Sequence, residues 1–298
     1  MDCLKIGIVG PGAIGMLFGA YLSEQGHSVT FYVKKNENKQ LYIHTLDRGT
    51  REIDCKMTDE IEVLRNMDLV IIAVKYHHLS SVKEALDCLP KELPLLFIQN
   101  GLLHLTYIEL LKQETILLGS VLHGAAKENT FTVSHTGKGV TTIGQWKGNW
   151  LLLEEFLKSG TSSFPLQLTS HIEHILFKKA LLNCLINPLT AIARVPNGEL
   201  LHNPSYHTIM KNIYKELLAA FPEWQSDLPW FEVEELCRNT ASNRSSMLKD
   251  LENGRFMELD TIVGAVRERA LERGKELPIL QTFYLLLSEM NKVGDSHY

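Results

Sequence analysis

Three glycines spaced as Gly10-x-Gly12-x-x-Gly15 constrain the fold of this chain more than any other feature. They follow the apolar run LKIGIV (residues 4–9) and open a segment, residues 13–25, that is typical of a helix. In such a unit the first glycine permits a tight turn, the second lets a pyrophosphate approach the backbone, and the third lets helix and strand pack closely. Free N–H groups at the helix N-terminus then bind the anion. The pattern predicts a dinucleotide-binding loop made of Gly10, Pro11, Gly12, Ala13, Ile14 and Gly15.

The residue that distinguishes NAD from NADP in such domains lies at the end of the second strand, about 20 residues further on. An NAD enzyme has Asp or Glu there for the ribose hydroxyls. Here the strand SVTFYV (residues 28–33) is followed by Lys34. A carboxylate would repel a 2′-phosphate and an ammonium attracts it, so we predict NADP(H) as cofactor, with Lys34 at the phosphate. The alternative is a solvated run of charge, which suits Lys35 and Lys39.

The rest of the chain changes character near residue 170. Before that point, strand patterns alternate with helix patterns; after it, helical periods dominate. We therefore predict an α/β protein, with an N-terminal Rossmann-type dinucleotide-binding domain (residues 1–170) followed by an all-α C-terminal domain (residues 171–298) for substrate and catalysis. The expected strands are 4–9, 28–33, 51–57, 68–75, 93–100, 115–125 and 165–170, with a hairpin at 130–144. The expected helices are 13–25, 149–159, 172–193, 205–220, 231–252, 258–273 and 278–291.

Composition excludes several classes of protein. The 298 residues are 45% hydrophobic with a net charge of −5 and contain no basic run, which argues against a nucleic-acid surface. There is no apolar run of membrane-spanning length and no secretory signal, so we expect no membrane partner. The five cysteines form no CxxC pair and no metal-ligand spacing, which favours a reduced cytoplasmic protein without a metal.

The segment KKALLNCLINPLTAI (residues 178–192) places polar groups in an otherwise apolar helix. Lys179, Asn183 and Asn187 are four residues apart and therefore share one face. Burial of a lysine is costly, because its charge loses water. One interpretation is that Lys179 extends to the surface and the asparagines cap local backbone; the other is that the three line a cleft. Pro188 is expected to kink or end the helix.

These motifs together resemble the ketopantoate reductase (2-dehydropantoate 2-reductase) family. The resemblance runs along nearly the whole chain, through GIVGPGAIG, VIIAVKY, IQNG, KKALLNCLINPLTAIARVPNGEL and RSSMLKDLENGRFMELD in that order. It implies NADPH-dependent reduction of 2-dehydropantoate, a 2-oxo acid, to (R)-pantoate in pantothenate and coenzyme A biosynthesis. It also implies the same two-domain fold, with the site in the cleft between the domains.

The resemblance also implies roles for individual residues. Lys179 matches the general acid, and the residues that match substrate contacts are Asn183, Asn187, Asn197 and Ser246. The residues that match cofactor contacts, beside the glycine loop and Lys34, are Lys75, Asn100, Ala125 and Glu258. Asn100 lies between cofactor and substrate and is expected to contact both, Ala125 offers its backbone to the nicotinamide end, and Glu258 lies near the nicotinamide and the substrate hydroxyl.

Some of these residues have simpler interpretations when taken alone. Ser246 fits a helix surface, Asn197-Gly198 a turn, and Glu258 the first turn of a helix. The twelve residues between Ser246 and Glu258 would separate them along one straight helix, so we expect Asn253-Gly254 to break it. The chain also departs from the family: many members have Arg where Lys34 stands, and Leu102-Leu103 follows Gly101 where many have a small residue.

Two other functions fit parts of the same sequence. One is an NADP-dependent reductase of another 2-oxo acid in the same superfamily, and the other is a binding protein that senses NADP(H) without turnover. Retention of both Lys179 and Glu258 argues against the second. The apolar helix 278–291 would pack on the core or on a second copy of the chain, so a homodimer is one candidate assembly.

Overall fold

The computed structural model describes residues 3–36, 39–149, 156 and 158–295. Twelve strands lie in this part of the chain. They are β1 (Lys5–Val9), β2 (Ser28–Tyr32), β3 (Leu41–Thr45), β4 (Gly49–Ile53), β5 (Lys56–Thr58), β6 (Leu69–Ile72), β7 (Leu95–Phe97), β8 (Ile116–Val121), β9 (Gly124–Lys127), β10 (Thr132–Gly137), β11 (Thr141–Lys147) and β12 (Leu166–Thr169).

The α-helices described here carry the labels α1 to α10 in chain order. They are α1 (Ala13–Glu24), α2 (Lys83–Asp87), α3 (His104–Ile108), α4 (Ile172–Ala193), α5 (Glu199–His202), α6 (Pro204–Ala220), α7 (Trp230–Asn239), α8 (Ser246–Glu252), α9 (Ala265–Glu272) and α10 (Pro278–Asp295). The chain divides into two compact units. The first unit runs to Asn100 and from Leu105 to Glu173, and the second contains Gly101–His104 and the chain from His174 onward.

The first unit is built on an eight-stranded sheet in the order β12-β11-β8-β7-β6-β1-β2-β5. The six strands from β8 to β5 in that order are parallel to their neighbours, and β11 pairs antiparallel with β8. β6 and β8 are buried at nearly every position, because parallel strands with a layer on each face expose neither side to water. The doubly wound α/β class predicted from the sequence is confirmed, with all-α structure after it.

A second sheet of four strands, in the order β4-β3-β10-β9, covers helix α1. The helix contacts β1 and β2 of the large sheet as well as all four strands of the small one. Its buried residues therefore occur all around the helix, from Met16 and Leu17 to Tyr21 and Leu22. This second sheet was not predicted from the sequence.

The predicted hairpin at 130–144 is wrong, although both of its arms are strands. β10 pairs with β3 and β9 in the small sheet, whereas β11 pairs with β8 and β12 in the large one. The hairpin that does form joins β9 to β10, one strand earlier. Alternation and a glycine turn show that two strands are consecutive, but the partner of each strand is decided by tertiary packing.

Three other predictions in the first unit need correction. The strand expected at 115–125 is β8 followed by the start of β9, and these two strands belong to different sheets. The strand expected at 51–57 is the end of β4 followed by β5, and these two strands belong to different sheets. Strand β3 lies in a stretch where no strand was expected. The helix expected at 149–159 lies mostly outside the described residues.

The second unit is helical and centres on α4. This helix has the length and mean hydropathy of a membrane-spanning segment, but 67% of its most apolar window is buried within the protein, as expected of a core helix. It continues past Pro188 and ends at Ala193, where Arg194 has φ 55°. Of the two outcomes expected at Pro188, a kink or an end of the helix, the end does not occur, and the predicted range 172–193 is confirmed. Burial of Leu189 and Ala191 beyond the proline holds the next turn in place.

The long helix predicted at 231–252 is two helices, α7 and α8, and the short α5 was not predicted. The expected break after α8 is confirmed, since α8 ends at Glu252 and Gly254 has φ +61°. Helix α10 buries Leu280 and Leu287 and exposes Leu285 and Leu286. It therefore packs on its own unit along one side, and a second copy on the other side stays a prediction.

A π-turn, Asp260–Gly264, leads into α9. Thr261 in this turn accepts two backbone hydrogen bonds, from Leu102 N–H to its carbonyl oxygen (2.8 Å) and from Leu103 N–H to its Oγ1 (3.2 Å). Gly101 has φ +76°, and a Cβ there would lie 2.3 Å from the Thr261 carbonyl oxygen. Only glycine fits at this position. The residues that directly follow Asn100 in the chain, Gly101 and Leu102, therefore contact the backbone of the π-turn.

Candidate active site

The glycine loop has the shape of a dinucleotide cradle. Gly10 has φ +100°, which only glycine adopts freely, and a Cβ on Gly15 would lie 2.2 Å from the Gly10 carbonyl oxygen. The helix therefore begins in direct contact with the turn. A Cβ on Gly12 would have no heavy atom closer than the Ala73 carbonyl oxygen at 3.8 Å, so the loop is open at this glycine.

The N-terminus of α1 is suited to an anion. Gly12 is the N-cap and offers no capping side chain, and the first turn contains no acidic residue. The first N–H groups of a helix have no partner within the helix, and its dipole places partial positive charge there. The loop and the helix start therefore fit the pyrophosphate of a nicotinamide dinucleotide.

Four predicted cofactor positions follow four neighbouring parallel strands. β2, β1, β6 and β7 are adjacent and in register, with Val9 paired to both Tyr32 and Ile72. Their carboxyl ends lead into Lys34, Gly10, Lys75 and Asn100. The carboxyl edge of a parallel sheet, at the point where strand order reverses, is where such folds bind ligands. The sheet thus brings together residues that are up to 90 positions apart in the chain.

The two predicted lysines of this edge act on the same imidazole. The pKa of His78 is lowered by burial and then by the positive charges of Lys34 and Lys75. Lys34 is exposed and Lys75 is half-buried. Both ammonium groups therefore add to one region of positive potential beside the end of β2, where a 2′-phosphate is expected.

Another lysine at the glycine loop was missed by the sequence analysis. Lys127, the last residue of β9, donates a hydrogen bond from Nζ to the Pro11 carbonyl oxygen at 3.1 Å. Ala125, which was predicted to contact the cofactor, lies on the same strand and is half-buried. No sequence motif contains Lys127; only the small sheet brings it to the loop.

In the second unit, the pKa of Lys179 on α4 is shifted toward neutral pH. Burial lowers its pKa from 10.5 to about 8, and the negative charge of Glu258 acts in the opposite direction. Lys179 and Glu258 are 79 residues apart in the chain and interact because α4 packs beside the segment that follows α8. A lysine in this state loses and regains its proton near neutral pH.

The predicted amide ligands differ in their surroundings. Asn183 is half-buried and Asn187 is buried, both on α4 one and two turns after Lys179. Asn197 is buried and donates from Nδ2 to Thr240 Oγ1 at 2.9 Å, while its Oδ1 has no partner among the described residues. One hydrogen-bonding atom of Asn197 is therefore buried without a partner among the described residues.

Ser246 is an exposed residue in the first turn of α8. The start of this helix is fixed by Ser245, whose Oγ accepts from Leu248 N–H at 3.1 Å and lies 2.8 Å from Thr190 Oγ1 on α4. Because Ser245 and Thr190 are both buried, the contact ties α8 to the helix that carries Lys179. The roles assigned to individual side chains stay predictions.

Cysteine and metal chemistry add nothing to this arrangement. Within the described residues, no three His, Cys, Asp or Glu side chains lie together in a way that could hold a metal ion. Cys184 is buried beside Asn183, with its Sγ 3.9 Å from the Ile262 carbonyl oxygen, and burial raises its thiol pKa. It is therefore an uncharged packing residue.

Comparison with known proteins agrees with this geometry. The family described as "Ketopantoate reductase PanE/ApbA" matches residues 6–148, and its C-terminal counterpart matches residues 171–291. The chain belongs to the ketopantoate reductase family. It is thus one of a family of nicotinamide-dinucleotide-dependent oxidoreductases that act on small molecules.

The similarity extends over whole chains. The 2-dehydropantoate 2-reductase of Listeria monocytogenes is 35% identical, over 98% of this chain and 98% of its own. The crystal structure of the probable 2-dehydropantoate 2-reductase of Bacillus subtilis has a TM-score of 0.87 and 30% identity, over 96% of this chain and 100% of its own. A D-mandelate dehydrogenase solved with NADH and anilino(oxo)acetate shares the fold, with a TM-score of 0.85 and 22% identity, over 98% of this chain and 100% of its own.

Loss of the Ser245 hydroxyl should affect both stability and the site. We expect Ser245→Ala to lower the free energy of unfolding by about 1–2 kcal/mol, since the N-cap of α8 is lost, and to raise the Michaelis constant for the substrate because Ser246 shifts. Denaturant unfolding and steady-state kinetics measure the two effects. The matched control is Asn203→Ala, which removes the N-cap of α6, where Asn203 accepts from Ser205 and Tyr206 N–H. Asn203→Ala should lose similar stability with an unchanged Michaelis constant. The same Michaelis constant in Ser245→Ala and Asn203→Ala would contradict the prediction.

Proposed function

We propose that this protein reduces 2-dehydropantoate to (R)-pantoate with NADPH. The observation that carries the proposal is the buried lysine of α4, whose pKa lies at about 8 under the opposing effects of burial and Glu258. Membership of the ketopantoate reductase family over nearly the full chain supports the same assignment.

The cofactor supplies the hydride when bound. The residues proposed to hold it are those of the glycine loop, Lys34, Lys75, Asn100 and Ala125. Lys34 and Lys75 act together on His78, which supports a binding region for a 2′-phosphate and therefore NADP(H) rather than NAD(H). Lysine lacks the planar fork of arginine, so discrimination at Lys34 rests on charge.

Lys179 is proposed as the general acid. Reduction of a ketone places negative charge on the carbonyl oxygen, and a positioned acid must supply a proton as that charge grows. A lysine with a pKa of about 8 is largely protonated at neutral pH and is a stronger acid than a lysine in water. After donation, the neutral amine recovers a proton from solvent.

Glu258 and the amides complete the proposed site. The Glu258 carboxylate favours the charged form of Lys179 and thereby keeps the acid loaded. Asn183 and Asn187, on the same face of α4, are proposed to orient the hydroxyl and carboxylate of the substrate without adding charge. Asn197 contributes its free Oδ1, which can accept a hydrogen bond from a substrate hydroxyl. Ser246 is proposed as a further hydrogen-bonding group.

The direct test is the rate of NADPH oxidation with 2-dehydropantoate, compared with pyruvate and 2-oxoisovalerate and repeated with NADH. We expect selective turnover of 2-dehydropantoate with NADPH. Equal or faster turnover of another 2-oxo acid would assign a different reductase activity on the same fold, the fold being shared with a D-mandelate dehydrogenase. Cofactor binding without turnover of any 2-oxo acid would favour the NADP(H)-sensing alternative.

Removal of the proposed acid should lower turnover and abolish a pH dependence. We expect Lys179→Met to reduce kcat roughly 100-fold or more, the usual contribution of a general acid. In the wild type, kcat/KM for reduction should fall as pH rises through about 8, because the protonated lysine is the active form. The matched control is Lys178→Met, which removes the neighbouring lysine paired with Glu232 at 2.8 Å and should leave both quantities unchanged.

Glu258→Gln extends this test. Because Glu258 raises the pKa of Lys179, its neutralisation should move the alkaline fall in kcat/KM to lower pH. An alkaline limb that persists in Lys179→Met, or that does not move in Glu258→Gln, would assign the limb to another group.

The cofactor preference should depend on the charge at position 34. We expect Lys34→Asp to lower the ratio of kcat/KM for NADPH over NADH about tenfold or more, since a charge-assisted contact is worth roughly 1.5–3 kcal/mol. Kinetics with both cofactors at low and high ionic strength measure the ratio. Lys35→Asp alters the adjacent exposed lysine and serves as control. A ratio changed equally by the two variants would show general electrostatic attraction rather than recognition by Lys34.

A further inference from the structure

The carbonyl of Pro11 is an unfavourable feature of a loop that accepts an anion. A carbonyl oxygen carries partial negative charge, and close to a phosphate it opposes binding. In this protein the Lys127 ammonium lies 3.1 Å from that oxygen and donates a hydrogen bond to it. The contact offsets the carbonyl dipole and brings a full positive charge to the loop.

The register of β9 gives Lys127 a defined direction. Within the small sheet, Ala125 pairs with His135 and Lys127 pairs with Val133 of β10. Alternate residues of a strand share a face, so Ala125 and Lys127 point to the same side. The residue proposed to contact the nicotinamide end and the lysine at the glycine loop are therefore neighbours on one surface.

A buried polar contact holds β10, the strand paired with β9, against α1. Tyr21 Oη on α1 lies 2.7 Å from His135 Nδ1, directly across the strand pair from Ala125. The Phe164 ring stacks on Tyr21 with centroids 4.8 Å apart and on His123 at 4.7 Å. Since α1 also provides the anion-binding helix start, β9 and the glycine loop are fixed relative to each other.

We propose that Lys127 is a further cofactor-binding residue that contacts the pyrophosphate of the dinucleotide. The inference rests on the proposed function, because it concerns the same cofactor. The pyrophosphate is common to NADPH and NADH, so Lys127 contributes to the binding of both. Lys34, in contrast, contributes to NADPH alone. Glu128, the next residue, directs its carboxylate to the Ser134 hydroxyl and so faces away from the ammonium.

Equilibrium binding to the full chain without substrate tests this assignment. Dissociation constants for NADPH and NADH are measured by fluorescence titration at low and high salt, together with the melting temperature of the cofactor-free protein. We expect Lys127→Met to raise both constants about tenfold, with less salt dependence and an unchanged ratio. Lys127→Arg should stay within about threefold of wild type, since it keeps the charge. Lys138→Met, at an exposed lysine after β10, is the matched control and should bind both cofactors as wild type does.

Three results would overturn the inference. Wild-type constants for Lys127→Met would show that the ammonium does not contact the cofactor. A loss confined to NADPH would place Lys127 at the 2′-phosphate instead. A lowered melting temperature of the cofactor-free Lys127→Met protein, with binding not restored by Lys127→Arg, would show that the residue only braces Pro11. Failure of the wild type to bind either cofactor would instead refute the proposed function. Cofactor binding without turnover of any 2-oxo acid would refute the proposed reductase activity and leave the assignment of Lys127 in place.

Discussion

The close approach of α1 to the glycine turn is the constraint on which the nucleotide-binding unit depends. At Gly15 there is no room for a side chain between the helix and the Gly10 carbonyl, and at Gly19 a Cβ would lie 2.4 Å from the Phe31 ring. The helix therefore lies directly on the large sheet, with its N-terminus at the carboxyl edge of β1. The small sheet packs on its other side and carries Lys127 to the same loop.

A second constraint governs the helical unit. An ammonium that loses water is disfavoured, and the burial of Lys179 lowers its pKa to about 8. Glu258 recovers part of that cost, so the lysine remains charged in neutral solution yet gives up its proton readily. The α4 helix, which carries Lys179, is held in place by packing that extends past Pro188 and by the buried Thr190–Ser245 contact. The interior of α4 thus serves stability, and its polar face is proposed to serve chemistry.

The lysines of the nucleotide-binding unit lie in two separate places. Lys34 and Lys75 share one region of the sheet edge, where they lower the pKa of His78. Lys127, on β9, contacts the glycine loop at the Pro11 carbonyl oxygen. On the proposed assignments, the first pair distinguishes NADPH from NADH, and the second site binds both. The net charge of the whole chain is negative, so on these assignments the local arrangement of lysines, rather than the overall charge, is proposed to attract the anionic cofactor.

The sequence by itself determined the elements whose signals are local. The glycine motif and the period of α4 predicted β1, α1 and the long core helix to within one residue, and the apolar run 68–75 predicted β6 to within three. Each of these signals depends on neighbours within a few positions. The four-residue spacing of Lys179, Asn183 and Asn187 likewise placed them on one face. The family blocks added Glu258 and Ser246, which no local signal would select.

Only the tertiary structure decided which elements meet. It separated β10 from β11, built a second sheet that was not predicted, and divided the helix predicted at 231–252. It also brought Lys127 to Pro11 and Glu258 to Lys179, across 116 and 79 positions of the chain. Pairings of this kind depend on the burial of apolar faces that are far apart in the sequence. The free energy gained by that burial cannot be inferred from any local sequence pattern.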